Sequence, residues 1–215
     1  VNLFYKRELI PVINNLRQLK KEESFSLAKK KPLRIALHFD TGMSRLGLDQ
    51  EQAKVLLKNK ELLIKNTQLT LIMSHLACAG STKNSKNIKQ LEKFKKIAKY
   101  FPNIKLSLSN SAGILLGKEY HFDLVRPGIS LYGGNCSLDK SNNYDHVISL
   151  KAKIIQTRYI DKGETIGYGS TYKAKHRMLI ATIPIGYADG FNRLFSNQTE
   201  LYFKNKKVRI VGRVS

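Results

Sequence analysis

The order of predicted strands and helices places this chain in the α/β class. In the first two thirds of the sequence, short apolar runs typical of buried strands return about every 20 to 35 residues, with helical patterns between them. Such alternation predicts parallel βαβ units, which build either an α/β barrel or a doubly wound sheet. After Gly133-Gly134 the pattern changes to strands separated by turns. We therefore predict an α/β region followed by the beginning of an all-β domain.

The elements of the α/β region follow from local signals. Apolar spacing from Val12, with Pro11 near the first turn, predicts a helix over 12–20. The apolar run 34–39 predicts a strand, and Asp49 is a favourable N-cap for a helix over 50–63. Further strands are predicted over 69–73, 105–108 and 124–125, a lysine-rich helix over 83–99 and a short helix over 111–117. A closed (β/α)₈ barrel needs eight strands, so these four predict an open half-barrel.

The lysine-rich helix has one apolar face. The predicted apolar stripe consists of Ile88, Leu91, Phe94, Ile97 and Phe101.

Residues 137–143 are polar and turn-rich, which indicates a linker between an α/β region at 1–138 and a β-strand domain at 145–215. Strands are predicted over 147–159, 178–185 and 200–211, the last folded into a hairpin by a turn at 205–207.

Composition narrows the classes of function. The formal net charge is +22, which would suit a nucleic-acid binder. However, lysines are scattered along helix faces without an RNA-binding or helix-turn-helix signature, so a solvated lysine-rich surface is the favoured interpretation and no nucleic-acid partner is predicted. The sequence contains no apolar run long enough for a membrane span and no cluster with metal-ligand spacing. Two distant cysteines suit a reducing cytoplasm.

One short motif has two interpretations. Asp40-Thr41-Gly42 after an apolar strand is similar to the catalytic triplet of aspartic proteases. That chemistry needs two aspartates sharing a proton, and the chain has one such triplet, which a dimer would have to duplicate. The residues that follow do not continue the protease pattern, and a βαβ setting does not suit an all-β enzyme.

Three stretches together resemble the alanine racemase family of pyridoxal 5'-phosphate (PLP) enzymes. They are residues 38–47 (HFDTGMSRLG), 125–129 (VRPGI) and 183–190 (IPIGYADG). The resemblance implies a partial (β/α)₈ TIM-type barrel followed by the beginning of an all-β domain. It also implies PLP as cofactor, L- and D-alanine as substrates, and a homodimer with shared active sites. A broader amino-acid racemase, for example one acting on serine, is the alternative within the enzyme class.

The resemblance assigns catalytic and substrate-binding roles. Tyr168 corresponds to the second catalytic base, which reaches into the other subunit's barrel, because racemisation needs one base on each face of the substrate. Arg45 would contact the cofactor's phenolic oxygen and the substrate carboxylate. Tyr187 and Arg213 match positions along the substrate access path. His38 stands where the family commonly has a carbamylated lysine that orients this arginine.

The resemblance also assigns cofactor contacts. His75 would lie beside the pyridine ring, and Arg126 would face the ring nitrogen, where a guanidinium can only donate. Asn110 and Ser111 open a predicted helix, so they serve as an N-cap, as part of a phosphate site, or as both. The backbone N–H groups of Gly128 and Ile129 would add to the same phosphate site.

The resemblance covers roughly the central half of the family's sequence. The family's lysine motif that forms the Schiff base with PLP has no match here, nor do its Cys-Met-Asp-type motif and its C-terminal phosphate-binding tyrosine. We therefore expect the chain alone to be inactive and the missing segments to be supplied in trans. An inactive gene remnant remains the alternative to a split subunit.

Overall fold

The computed structural model describes residues 1–139 and 144–215, which divide into two compact units, Val1–Ile148 and Ser149–Ser215. The predicted linker residues 140–143 lie outside the described residues. The elements of the first unit are α1 (Asn2–Lys6), β1 (Val12–Ile13), α2 (Leu16–Lys29), β2 (Leu33–His38), α3 (Gln50–Lys58), α4 (Lys60–Leu63), β3 (Thr67–Met73), α5 (Ser85–Ala98), β4 (Lys105–Ser107), α6 (Ser111–Ile114) and short 3₁₀ helices at Lys118–Tyr120 and Ile129–Tyr132.

The first unit is built on one parallel sheet in the order β1-β2-β3-β4. Neighbouring strands follow one another along the chain, whereas a doubly wound sheet reverses its strand order at a switch point. The sequential order is therefore that of half a (β/α)₈ barrel. Leu37 of β2 and Ile72 of β3 pack in one buried cluster with Leu19 of α2, Leu56 of α3 and Phe94 of α5, all at most 1% exposed.

Two predicted elements of the first unit are wrong. Val12 and Ile13 do not start a helix but form β1, paired with β2, and α2 begins only after Asn15, whose side chain accepts from the N–H of Gln18. A β-branched pair suits a strand, and an asparagine cap suits the helix start behind it. The strand predicted over 124–125 is replaced by one isolated bridge between Asn110 and Arg126.

Other helix predictions are confirmed in part. Asp49 caps α3 by accepting from the N–H of Gln52 at 2.8 Å, but the predicted helix is interrupted at Asn59. In α5, Leu91 and Phe94 are buried as expected, whereas Ile88 is 62% exposed, so its place in the apolar stripe was wrong. The helix predicted over 111–117 ends earlier, because α6 spans only Ser111–Ile114.

The second unit consists of small antiparallel pairs. Its elements are β5 (Gln156–Ile160), β6 (Thr165–Ile166), β7 (Tyr172–Lys173), β8 (Met178–Thr182), β9 (Glu200–Phe203), β10 (Lys206–Arg209) and 3₁₀ helices at Tyr168–Ser170, Tyr187–Asp189 and Arg193–Phe195. The pairs are β5 with β8, β6 with β7 and β9 with β10.

Strand bounds in this unit differ from the prediction at three places. Among described residues 147–155 no strand is assigned, and β5 begins at Gln156. β8 ends at Thr182, shortly before Pro184, which has no N–H for a strand ladder. The β9–β10 hairpin turns at Lys204 and Asn205, not at 205–207. Both turn residues have positive φ, 46° and 63°, as a two-residue type I′ turn requires.

Candidate active site

The side chains of Arg126, His75 and Asn110 meet at the carboxyl ends of β3 and β4. Nη2 of Arg126 donates to the carbonyl oxygen of Ser74 at 2.6 Å and lies 3.4 Å from Nδ1 of His75. On the other side of the ring, Nδ2 of Asn110 lies 3.3 Å from Nε2 of His75. The structure therefore brings together three of the residues predicted to contact the cofactor, at the end of the sheet where barrel enzymes place their sites.

The Arg126 guanidinium is fixed by groups on neighbouring strand ends. Nη1 donates to the hydroxyl of Ser107, and Nη2 also lies 3.4 Å from the carbonyl oxygen of Leu108. The backbone N–H of Arg126 donates to the carbonyl oxygen of Ser109 at 2.9 Å. Burial lowers the pKa of His75, and the nearby charges of Arg126 and Arg45 lower it further. This histidine is therefore held in a cationic environment that favours its neutral form.

A second set of donors surrounds Ser111 at the start of α6. The N–H of Gly128 donates to Oγ of Ser111 at 2.7 Å, and the N–H and hydroxyl of Ser130 lie 3.4 and 3.1 Å from the same oxygen. Ile129 lies between these two residues and begins a 3₁₀ helix, with its side chain 55% exposed. Two hydroxyl groups and two backbone N–H groups thus converge, a donor set whose chemistry fits a phosphate group.

Asn110 acts as an N-cap in this structure. Its Oδ1 accepts from the N–H of Gly113 at 2.9 Å, which satisfies one donor of the first turn of α6. Its Nδ2 remains directed at His75, so the same side chain borders both the helix start and the ring. Of the two roles expected for this residue, the capping role is the one observed here.

The loop that carries Arg45 is shaped by Asp40. The carboxylate accepts from the backbone N–H groups of Gly42, Met43 and Ser44 at 2.8 to 3.1 Å. Burial works to raise the pKa of Asp40, but these backbone donors together lower it below its ordinary value. Arg45 itself is exposed at the tip of the loop. The Asp40 carboxylate is bonded to its own loop at the end of a parallel sheet. This is not the setting of an aspartic protease, in which two aspartates share a proton in an all-β fold.

His38 is the last residue of β2 and is only 7% exposed. Its Nδ1 lies 2.8 Å from Oδ1 of Asn14. Burial lowers the pKa of His38 to about 4, and the charges of Arg126, His75 and Arg45 act in the same direction. His38 is therefore neutral near pH 7 and belongs to the same electrostatic cluster as the predicted cofactor contacts.

Three predicted site residues lie in the second unit. Tyr168 lies between Gly167 and Gly169, is the first residue of a 3₁₀ helix and is 75% exposed. Arg213 borders this turn, since a Cβ atom at Gly169 would lie 3.5 Å from its guanidinium. Tyr187 is 57% exposed, and the Arg193 guanidinium lies 5.4 Å from the centre of its ring. The prediction that these residues face the substrate stays a prediction.

Sequence reasoning missed several polar residues that support the site. They are Asn14, Ser74, Gln90, Ser107 and Ser130. For three of them the sequence carries a signal, namely a polar residue where the apolar pattern of the element predicts a buried position. Gln90 adjoins Leu91 on the buried side of α5, and Ser74 and Ser107 lie at strand ends. Asn14 gave no such signal, because its segment was predicted to be helical.

Residues 1–139 and 144–215 contain neither a metal-binding cluster nor a membrane-spanning helix. No group of three or more His, Cys, Asp or Glu side chains in these ranges is placed to hold a metal ion. In the same ranges no helix has the length and apolar character that crossing a bilayer requires.

Comparison with known proteins identifies the family. The family profile described as "Alanine racemase, N-terminal domain" matches residues 1–136, and that described as "Alanine racemase, C-terminal domain" matches residues 147–215. The chain is 47% identical over 208 residues to the alanine racemase of Rickettsia bellii, covering 96% of this chain and 50% of that protein. With the alanine racemase of Rickettsia africae it shares 46% identity over 207 residues, covering 96% and 56%.

Solved structures agree with the profiles. The alanine racemase of Bartonella henselae with covalently bound pyridoxal phosphate superposes with a TM-score of 0.89 at 36% identity, covering 100% of this chain and 59% of that one. The biosynthetic alanine racemase of Pseudomonas aeruginosa gives a TM-score of 0.85 at 32% identity, covering 100% and 60%.

These likenesses confirm the partial (β/α)₈ TIM-type barrel followed by the beginning of an all-β domain. The chain spans about half the length of the curated relatives it matches. The chain belongs to the alanine racemase family.

Proposed function

We propose that this chain provides the cofactor- and substrate-contacting residues of a PLP-dependent alanine racemase, which interconverts L- and D-alanine. The observation that carries the proposal is the cluster of Arg126, His75 and Asn110 beside the donors around Ser111. One of the solved relatives has covalently bound pyridoxal phosphate, which supports the same cofactor here.

The cofactor contacts divide into a phosphate part and a ring part. Ser111, Ser130 and the N–H of Gly128 would hold the phosphate through hydroxyl and amide donors. Arg126 would face the pyridine nitrogen, which it can serve only as a hydrogen-bond donor, and His75 would lie beside the ring. When bound, PLP withdraws electrons from the substrate's α-carbon and makes its hydrogen more acidic. Arg126 moderates that effect, because it cannot transfer a proton to the ring nitrogen.

Proton transfer would be carried out by a base on each face of the α-carbon. Tyr168 is proposed as one of these bases, removing or returning the proton at its phenolic oxygen. Arg213 borders the turn that holds Tyr168. Arg45 would bind the substrate carboxylate, and Tyr187 would line its access path.

The proposal extends to the assembly and its location. Tyr168 is 75% exposed, as expected for a side chain that completes a site in a second copy, so we propose a homodimer with shared active sites. A cytoplasmic location is proposed from the two widely spaced cysteines.

The proposed function can be tested with a hybrid protein that has the full length of the family. The chain is joined to the segments of the Rickettsia bellii enzyme that lie outside the matched region, and PLP absorbance and racemisation of L-alanine, D-alanine and L-serine are measured. We expect PLP binding and faster turnover of both alanines than of serine. The Rickettsia segments without this chain serve as the control and should be inactive. A folded, PLP-loaded hybrid that racemises serine but not alanine, or neither amino acid, contradicts the proposal.

A further inference from the structure

Three buried polar side chains form a small network behind the site. Thr41 follows β2, Ser74 follows β3 and Gln90 lies on α5, and they are 2%, 0% and 1% exposed. The hydroxyl oxygens of Thr41 and Ser74 are 2.7 Å apart, and Nε2 of Gln90 donates to Oγ1 of Thr41 at 3.1 Å. Two loops from neighbouring strands are thus tied together through one helix residue.

Gln90 also holds the segment that carries His75. Its Nε2 donates to the carbonyl oxygen of His75 at 2.9 Å, and its Oε1 accepts from the N–H of Ala77 at 2.9 Å. Both donor hydrogens of the amide and its acceptor are therefore engaged. A buried amide with all its partners rigidifies the groups that it joins, whereas its loss leaves several of them unpaired.

The pattern of partners distinguishes Gln90 from an ordinary buried polar residue. Asn87, on the same face of α5 and 1% exposed, donates to one carbonyl oxygen, that of Ser81. Gln90 instead reaches two segments that are separate in sequence. One is the loop beginning at Thr41 that leads to Arg45, and the other is the strand end at His75.

We propose that Gln90 is a positioning residue that holds the Arg45 loop and the His75 segment in one fixed arrangement. The inference rests on the proposed function, since it is the cofactor site that gives this arrangement its purpose. Gln90 acts through these neighbours, and its effect is to keep Arg45 and His75 in a constant relation before any ligand binds.

The proposal is tested by hydrogen exchange on the 215-residue chain without cofactor. Gln90→Met keeps the length of the side chain and removes all its hydrogen bonds. The diagnostic amides are Met43, which donates to Asp40, and Ser74, which donates to the carbonyl oxygen of Ser107. Neither is bonded to Gln90, so both report the arrangement of the segments. We expect both to exchange about tenfold faster in Gln90→Met, as the loss of several buried hydrogen bonds implies.

Gln52→Met is the matched control. Gln52 also bridges elements, accepting from the N–H of Leu16 at 2.9 Å and donating to Asp49 at 2.7 Å, and these bonds involve neither Thr41 nor the His75 segment. Gln52→Met should leave Met43 and Ser74 exchanging at the original rates. Equal acceleration in both variants would indicate general destabilisation and overturn the proposal, as would acceleration of one diagnostic amide alone.

Thr41→Val provides a milder variant if Gln90→Met does not fold. It removes one acceptor of Gln90 and the partner of Ser74, and should accelerate both diagnostic amides by about threefold to fivefold. An unchanged Ser74 amide in Thr41→Val would contradict the network. Because these measurements contain no cofactor, they stand whether or not the hybrid enzyme racemises alanine. In an active hybrid, Gln90→Met should lower kcat/KM, while Gln52→Met should not.

Discussion

His38 and Asn14 join the ends of two neighbouring parallel strands through a hydrogen bond of 2.8 Å between Nδ1 and Oδ1. The carbonyl oxygen of Asn14 can only accept, so the imidazole carries its hydrogen on Nδ1 and leaves Nε2 as an acceptor. His38 occupies the position at which the family resemblance leads one to expect a carbamylated lysine. A neutral acceptor therefore stands where an anionic group was expected, among the charges of Arg45 and Arg126.

The buried His38 should make the protein sensitive to mild acid. Its folded pKa of about 4 lies below the unfolded value of 6.5, so between these values the unfolded chain binds a proton that the folded chain does not. The contribution of His38 to the free energy of unfolding is therefore fully present above pH 6.5 and falls as the pH drops toward 4, by on the order of 3 kcal/mol. Urea unfolding at pH 7.5, 5.5 and 4.5 measures this loss. His38→Gln should lose clearly less over the same range, and an identical loss would contradict the assignment.

Gly47 should tolerate a side chain poorly, because a Cβ would meet the peptide group that joins Phe39 to Asp40. Its φ is +103°, and a Cβ would lie 2.9 Å from the backbone nitrogen of Asp40 and 3.0 Å from Cδ2 of His38. Gly42, in the same loop, has φ +140° but only ordinary contacts, the nearest at 3.5 Å. Both alanine variants should be strained by about 1–3 kcal/mol, and Gly47→Ala should lose a further 1–3 kcal/mol, roughly, from overpacking. Chemical denaturation compares them, and equal stabilities would show that the contacts at Gly47 relax freely.

Arg126 should control the titration of both histidines of the cluster. Burial is the main cause that lowers the pKa of His38 and of His75, and the charge of Arg126 lowers both further. Arg126→Met removes that charge, so the pKa of each histidine should rise, as followed by NMR titration of the ring nitrogens. The variant also leaves the carbonyl oxygen of Ser74 without this donor and should be less stable by about 1–3 kcal/mol. Arg34→Met, which removes an exposed arginine bonded to the carbonyl oxygen of Glu8, should shift neither histidine.

Tyr168→Phe should affect the two directions of racemisation unequally in the hybrid enzyme. The change keeps the ring and removes the hydroxyl, so folding and cofactor absorbance should survive. Loss of a positioned base typically costs about 10²–10⁴ in rate. Exchange of the α-hydrogen with solvent should fall far more for one alanine enantiomer than for the other. Tyr172→Phe and Tyr187→Phe should be milder, and undiminished exchange of both enantiomers in Tyr168→Phe would remove this residue from the mechanism.

Local signals in the sequence predicted much of the fold. Asp49 and Asn110 cap their helices through side chains that reach only three residues along the chain, so the residue type and its neighbours suffice to identify them. The apolar runs at β2 and β3 are likewise local, since a buried parallel strand needs continuous apolar residues. Where a local signal was ambiguous, as at Val12 and Ile13, pairing with β2 decided in favour of a strand.

The sequence by itself determined the α/β class and the family, because strand spacing and short motifs record both. It also predicted Arg126, His75 and Asn110, whose side chains the structure brings together. Only the tertiary structure decided how those residues are held. Asn14 and His38 are 24 residues apart, and parallel pairing of β1 with β2 brings them within hydrogen-bond distance. Thr41 and Gln90 are 49 residues apart, and packing of α5 against the sheet brings them together. The pKa of His38 depends in the same way on burial and on charges from three other segments, which no local pattern contains.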